Sequence, residues 1–145
     1  MAEPAQSFEN HAKMVPMYHY VATGLLVAPT IYFLVVTVTS FSVTHVMLLS
    51  LAIGVNIIGL FARLFPLGVQ DRVIRLEERM RMERILPEEL KTRINDVRTD
   101  HLIGLRFASD EELADLVRRV LDGELATRKD VKAAIKSWRA DHQRI

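Results

Sequence analysis

The feature that most constrains this chain is a run of 49 residues, Met14 to Ala62, without a single Asp, Glu, Lys or Arg. A bilayer core is about 30 Å thick, so one spanning helix needs about 20 apolar residues. The run is too long for one span and fits two spans with a tight turn. We predict spans at about 18–41 and 44–65, because hydroxyl and β-branched residues interrupt the aliphatic sequence between Thr37 and Thr44.

Two other interpretations of the apolar run fit less well. The core helices of a soluble protein seldom lack charges on every face over such a length. A cleaved signal peptide has a positive N-terminal region, whereas residues 1–13 hold Glu3 and Glu9 against Lys13. A second apolar span also follows the first directly. The sequence therefore predicts a transmembrane hairpin at 18–65.

The basic residues that flank the second span predict its orientation. Cytoplasmic flanks carry the excess of Lys and Arg in membrane proteins. The turn between the spans carries no charge, whereas arginines cluster around the end of the second span: Arg63, Arg72, Arg75, Arg79 and Arg81. The C-terminal region 66–145 is therefore predicted to be cytoplasmic. Two spans return the N-terminal segment 1–17 to the same side.

Small and polar residues within the spans are candidates for helix packing or oligomer contact. Gly24 and Ala28, and likewise Ser50 and Gly54, have the spacing that lets two helices approach closely. Asn56 falls near the middle of the second span, where an amide without a partner is costly. Packing between the two spans explains these residues more simply than contact with another subunit, and both uses stay open.

Histidines are the remaining ligand candidates, since the chain has no cysteine and hence no disulfide or thiolate metal site. His19 begins the first span and His45 the second, so the two lie at opposite faces of the membrane. His11 and His19 could share a ligand, but interfacial hydrogen bonding is favoured. We predict no cofactor, no metal site and no small-molecule substrate. No phosphate loop, His-Glu-x-x-His motif or nucleophile elbow indicates an enzyme.

The tail that follows the apolar run holds 34 of the 37 formal charges. Acidic and basic residues are nearly balanced there, unlike in a basic nucleic-acid arm. Its first predicted helix, about 67–86, carries apolar residues at alternating spacings of four and three, as in a coiled coil. These residues form the apolar stripe: Val69, Val73, Leu76 and Met80. Opposite charges four apart, such as Glu77 and Arg81, support an exposed helix. Pro66 either bends a continuous helix or starts a new one.

Capping signals predict further helices in the tail. Pro87 suits the first position of a short helix, Glu88–Val97. Ser109 and Glu112 form a capping box that opens the next helix. Gly123 is expected to end it. Strand signals are absent, so the predicted fold is all-α: a two-helix transmembrane hairpin followed by a small cytoplasmic helical domain.

The last predicted helix begins after Thr127 and runs through Trp138. It has a basic side: Arg128, Lys129, Lys132, Lys136 and Arg139. A solvated face is the simplest interpretation of these charges. An acidic partner, lipid headgroups and nucleic acid remain alternatives.

Several stretches resemble a family of short bacterial two-span membrane proteins with a charged helical C-terminal domain of unknown function. They are Val69–Arg79, Leu105–Leu113, Arg128–Asp141, Asn10-His11 and Pro16-x-Tyr18-His19. The family pattern has alanine near Pro66 and proline near Ala114 and Ala140, which leaves the helix ends there open. The resemblance implies a bacterial inner-membrane location and transfers no site residues.

The leading functional hypothesis is a non-enzymatic accessory subunit or scaffold of a membrane-associated complex. A tail of about 80 residues is small for independent folding, so its surface is expected to bind a protein partner or a second copy. The alternative is a membrane-tethered regulatory module that binds nucleic acid or an acidic partner through the basic last helix, with nucleic acid the less favoured ligand. An interfacial enzyme and a channel component assembled through Asn56 have less support.

Overall fold

The structure is a computed structural model that describes residues 6–10 and 14–141. Within these ranges the chain is all-α, with helices and no strand. The described residues form two compact units, 14–67 and 68–141, and residues 6–10 belong to the second. The domain boundary predicted from the sequence, between 65 and 66, lies two residues before this division.

The first unit holds helix α1 (Met17–Thr39) and the first part of helix α2 (Val43–Ile85). The first turns of α1, Met17–Ala22, are π-helical. Both helices are long and apolar enough to cross a membrane, each with a mean hydropathy of 2.1 over its most apolar window. The Ser42 hydroxyl accepts a hydrogen bond from the His45 amide at 3.1 Å and so caps the start of α2.

Helix α2 continues through Pro66, which therefore does not start a new helix. It ends 20 residues beyond the predicted end of the second span, and the helix predicted at about 67–86 is its C-terminal part. Proline removes one backbone hydrogen bond from a helix. The Arg-, Glu- and Met-rich sequence that follows has the helix propensity to continue α2 past this point.

Over its described residues, the second unit contains the rest of α2, four further α-helices and one 3₁₀ turn. These are α3 (Glu88–Lys91), the 3₁₀ turn Ile94–Asp96, α4 (Thr99–Leu105), α5 (Asp110–Leu121) and α6 (Arg128–Ala134). Their core contains Met82, Leu102, Leu105, Phe107, Leu113, Leu116, Val117 and Val131, all at most 1% exposed. The predicted start and stop of α5 are confirmed by its capping box, Ser109 with Glu112, and by Gly123 at φ 82°.

The helix predicted at Glu88–Val97 is shorter than expected, because α3 ends at Lys91. Arg93 departs from the α-helical region, with φ −106° and ψ 6°, and the 3₁₀ turn follows it. The tighter turn still brings its apolar side chains to the core: Leu90, Ile94 and Val97 are all buried. Core burial thus selects the irregular path over a regular helix.

The prediction that the last helix runs through Trp138 is wrong, because α6 ends at Ala134. The Glu112 carboxylate accepts hydrogen bonds from the backbone amides of Lys136, at 3.0 Å, and Ser137, at 3.1 Å. These amides would otherwise donate to carbonyls four residues earlier in a helix. A carboxylate from α5 therefore replaces the last helical turn.

The segment after α6 lies along the loop that precedes α5. Ser109 donates its amide to the Ser137 carbonyl at 3.0 Å, and Arg139 donates its amide to the Phe107 carbonyl at 2.7 Å. The rings of Phe107 and Trp138 have centroids 5.1 Å apart. The basic residues beyond Ala134 are thus held in an extended segment.

Candidate functional site

Asn56 lies at the contact between α1 and α2 within the first unit. Its side-chain nitrogen is 2.8 Å from the Thr30 hydroxyl, 3.1 Å from the Leu26 carbonyl and 2.8 Å from the Ala52 carbonyl. Two of these acceptors belong to α1 and one to α2 itself. The amide therefore joins the two helices of the hairpin.

The small-residue pairs selected from the sequence do not form the closest helix contact. A Cβ atom added at Gly24 or Gly54 would meet no atom within 4 Å. Ala28 and Ser50 are exposed, and the Ser50 hydroxyl donates to the Val46 carbonyl of its own helix at 2.8 Å. All four residues remain candidates for contact with another molecule.

Gly59 makes the close approach that the sequence analysis missed. A Cβ atom there would lie 3.0 Å from Cδ1 of Leu26. The Tyr18 hydroxyl also donates to the Gly59 carbonyl at 2.8 Å. Gly59 follows Asn56 by three residues, which places both on one face of the helix. That spacing, applied to Asn56, was the signal that could have identified it.

The two hairpin histidines contact backbone carbonyls close to them in sequence. Nδ1 of His19 lies 2.9 Å from the Val15 carbonyl, and Nδ1 of His45 lies 2.7 Å from the Ser40 carbonyl. His11, the predicted companion of His19, lies outside the described residues. Over 6–10 and 14–141, no three His, Asp or Glu side chains group as a metal site requires.

Arg81 is the centre of a buried ionic cluster in the second unit. Its guanidinium donates to Glu78 Oε2 at 3.0 Å, to Asp110 Oδ1 at 2.8 Å and to the Ala108 carbonyl at 2.7 Å. Arg139 Nη1 lies 3.6 Å from the other oxygen of Glu78. The expected pairing of Arg81 with Glu77 is wrong, because Arg81 turns inward towards α5.

The pKa values of the two carboxylates in this cluster, Glu78 and Asp110, shift in opposite directions. Burial raises the pKa of Glu78, although the positive charges of Arg81 and Arg139 oppose the shift. The hydrogen bond from Arg81 lowers the pKa of Asp110, which is far more exposed. The cluster therefore connects α2 to the start of α5, and we assign these charges a structural role.

The apolar stripe is exposed in the single chain. Its residues have these exposed fractions: Val69 61%, Val73 48%, Leu76 61% and Met80 62%. Ile74, Glu78 and Arg81 are each only 5% exposed and face the core of the second unit. This part of α2 thus buries one face in its own unit and leaves a second, apolar face open.

An open groove of about 970 Å³ lies beside the apolar stripe, within the second unit. Val73, Glu77 and Met80 line it on the α2 side. Arg139 and Asp141, from the extended segment, are among the residues of the opposite side. This side of the stripe is therefore accessible to another molecule, and both acidic and basic side chains lie next to it.

The structure does not bring the five predicted basic residues onto one helix. Three lie on α6, whereas Lys136 and Arg139 lie beyond its end, which corrects the predicted basic last helix. Arg128 Nε donates to Asp100 Oδ1 at 2.8 Å. Lys132 Nζ lies 5.2 Å from the centroid of the Phe107 ring. Lys129 completes the set on α6.

The pKa of Asp100 is lowered by its ion-pair partner, Arg128. Partial burial alone would raise its pKa, but the hydrogen bonds and the charge of Arg128 lower it overall. Much of the Arg128 charge is therefore balanced within the chain. This pairing weakens the case for a uniform basic surface.

The comparisons with known proteins give one match. The whole chain, residues 1–145, matches a family described as a family of unknown function, DUF6526. No curated protein and no solved structure matches the chain. The expected relation to an uncharacterised family is thereby confirmed.

Proposed function

We propose that this chain, which belongs to the DUF6526 family, is a small integral membrane protein that serves as a non-enzymatic accessory subunit or scaffold. In this proposal α1 and the first part of α2 form a hairpin in a bacterial plasma membrane. The second unit lies in the cytoplasm, together with the N-terminus. Its exposed surface binds a protein partner or a second copy of the chain.

The composition and surface of the first unit support the membrane location. Its two helices present large apolar side chains outward along their lengths, including Leu25, Ile31, Leu51 and Ile58, each more than half exposed. Water would penalise so much exposed apolar surface by about 25 cal/mol per Å², whereas lipid would not. The Asn56 amide has acceptors inside the hairpin, as a bilayer interior demands.

The observation that carries the binding function is the exposed apolar stripe on α2. Four large apolar side chains at coiled-coil spacing remain in solvent although the opposite face of the helix is buried. Apolar patches of this kind mark interaction surfaces when polar residues surround them. The described residues of the second unit offer a docking face more readily than a reaction centre.

The proposal is tested by purifying the full chain at native level in mild detergent and measuring the mass and composition of the product. We expect an assembly larger than one chain, which the double variant Val73→Ser with Leu76→Ser reduces to a monomer. The matched control, Asp71→Ser with Arg75→Ser, changes the same helix outside the stripe and should leave the assembly intact. A wild-type protein that is monomeric and without a stoichiometric partner would refute the proposal.

Nucleic-acid binding through the basic C-terminal region is the second candidate and has less support. Arg128 is paired with Asp100, and Arg139 lies near Glu78. Binding of this kind would show a strong dependence on salt concentration. An absence of DNA and RNA binding by the full chain at low salt would exclude it.

A further inference from the structure

The described residues of its own unit leave the apolar stripe uncovered. A rotation of α2 that turned Val73 and Leu76 inward would expose Ile74 and Met82 and would withdraw Arg81 from its partners, the Glu78 and Asp110 carboxylates among them. This face of α2 therefore stays open to another molecule.

The stripe has the register of a two-stranded coiled coil. Val73 and Met80 occupy positions a of the heptad, and Val69 and Leu76 occupy positions d. The flanking positions then follow: Arg72 is a g residue and Glu77 an e residue. Both are exposed, and neither forms an ion pair within the described part of the chain.

The flanking charges fit a second copy in parallel orientation. Residues at g and e form ion pairs between the strands of a coiled coil and set their orientation. In a parallel pair, g residues face the e residues of the following heptad, so Arg72 of each copy meets Glu77 of the other. An antiparallel pair would instead set Arg72 against Arg79, which repel each other. Two copies anchored in one membrane with the same topology also approach each other in parallel.

We propose that the apolar stripe is covered by the same stripe of a second copy, in a parallel two-helix coiled coil flanked by Arg72–Glu77 ion pairs. This inference rests on the proposed membrane anchorage and binding function. Two heptads form a short interface, and the next flanking pair, Arg79 with Arg84, is repulsive. Anchorage compensates for this, because confinement of both copies to one membrane raises their effective concentration.

The groove beside the stripe is consistent with this arrangement. Glu77 lines the groove next to Val73 and Met80, so an arginine from a second helix can reach it. On the far side of the same groove, the Asp141 carboxylate is already paired with Arg106 at 3.4 Å. Glu77 is therefore the groove carboxylate that an incoming basic g residue meets.

Cysteine cross-linking tests the register directly, because the native chain contains no cysteine. Single variants Val73→Cys and Leu76→Cys of the full chain, oxidised in native membranes, should form disulfide-linked dimers, since a and d positions approach their own copies across the two-fold axis. The matched controls Asp71→Cys and Arg75→Cys lie elsewhere on the helix and should remain mostly monomeric. Equal cross-linking at all four positions, or none at 73 and 76, would overturn the proposal.

A charge exchange tests the orientation and the identity of the partner. With Leu76→Cys as reporter, Arg72→Glu or Glu77→Arg alone should reduce the dimer yield several-fold. The double exchange should restore it, because the pairs re-form with reversed sign. A stripe that cross-links to a different protein, without rescue by the double exchange, would overturn the second-copy inference and leave the proposed function standing. A monomer without any partner would remove both.

Discussion

At the scale of single residues, Arg81 shows how a charge can be buried without being isolated. Removing an ion from water costs several kcal/mol unless partners replace the lost hydration. Arg81 has two carboxylates and the Ala108 carbonyl within hydrogen-bond distance. Its direction could not be predicted from the sequence, because Glu77 and Glu78 are both spaced for pairing with it. The position of Asp110, 29 residues later, decides between them.

The first prediction concerns the pH dependence contributed by Asp110. Its pKa in the folded chain is below the ordinary value of 3.8. The stabilisation is therefore present above pH 3.8 and is lost as the pH falls through the lower pKa of the folded state. We expect Asp110→Asn to reduce the free energy of unfolding by about 1 kcal/mol near pH 7, as for a charge-assisted bond with an exposed acid.

Thermal unfolding of the full chain in detergent, followed by circular dichroism over a series of pH values, measures this effect. The difference between variant and wild type should shrink as the pH falls below 3.8. Glu111→Gln, next to Asp110 in the sequence, is the control and should show little change at any pH. A constant difference across the whole series would contradict the assigned role of the Asp110 charge.

The second prediction concerns Asn56. Asn56→Leu removes the polar contacts between α1 and α2, so we expect a loss of about 1 kcal/mol in stability, typical of side-chain hydrogen bonds in membrane proteins. The size of any assembly should not change, because all three acceptors belong to the same chain. Thermal unfolding and light scattering in detergent measure the two effects.

Thr39→Ala is the matched control for this variant, since the Thr39 hydroxyl bonds only its own helix among the described contacts. It should leave both stability and assembly nearly unchanged. Dissociation of an assembly by Asn56→Leu would instead favour an intermolecular role of the amide, as in an oligomeric channel.

At the scale of elements, the sequence predicts a helix end correctly where the end depends on neighbouring residues. It does not predict a helix end that depends on a residue far away in the chain. The start and stop of α5 depend on residues within four positions of its ends, Ser109, Glu112 and Gly123, and the sequence contains all of this information. The end of α6 depends on Glu112, which is 24 residues away from Lys136. No periodicity within residues 128–139 could reveal that capture. The contact at Gly59 is different, because its spacing of three residues from Asn56 is a local signal that the sequence contains.

Gly104 marks a crossing of two short helices that only the folded chain reveals. A Cβ atom there would lie 2.9 Å from Cγ1 of Val131 and 3.3 Å from the Arg128 carbonyl, so α4 and α6 approach with no room for a side chain. The backbone at this point is helical, so the reason for glycine is packing and not dihedral freedom. The crossing holds α6 against the core.

The third prediction follows from this crossing. Gly104→Ala should destabilise the chain by about 1–3 kcal/mol, as overpacking of a buried contact does. Val131→Ala added to it should recover part of the loss, because it removes Cγ1, the nearest clashing atom, whereas Cβ of Val131 stays 3.0 Å away. Gly68→Ala is the matched control in α2, where a Cβ atom meets nothing within 4 Å. There the same substitution should stabilise by about 0.5–1 kcal/mol. Equal effects at both glycines would contradict the packing explanation.

At the scale of the whole molecule, the two units differ in charge and in which side chains they bury. The first unit exposes apolar side chains and gives the Asn56 amide acceptors within the hairpin, which suits a lipid environment. The second unit has an apolar core, a buried ionic cluster and an exposed apolar stripe. The proposed membrane anchor and the proposed binding surface therefore make complementary demands on one helix, α2, and they explain why it is much longer than a single span requires.

The fourth prediction concerns the topology of this arrangement. Phe41, in the turn between α1 and α2, is 78% exposed, and Glu124 lies in an exposed turn after α5. In intact bacterial cells, a membrane-impermeant maleimide should label Phe41→Cys. It should label Glu124→Cys only after the membrane is permeabilised, because the basic flank of α2 retains the second unit in the cytoplasm. The native chain without cysteine is the blank. Labelling of Glu124→Cys in intact cells would show that the topology is the reverse of the one proposed. Labelling of neither variant before permeabilisation would exclude a hairpin that crosses the membrane.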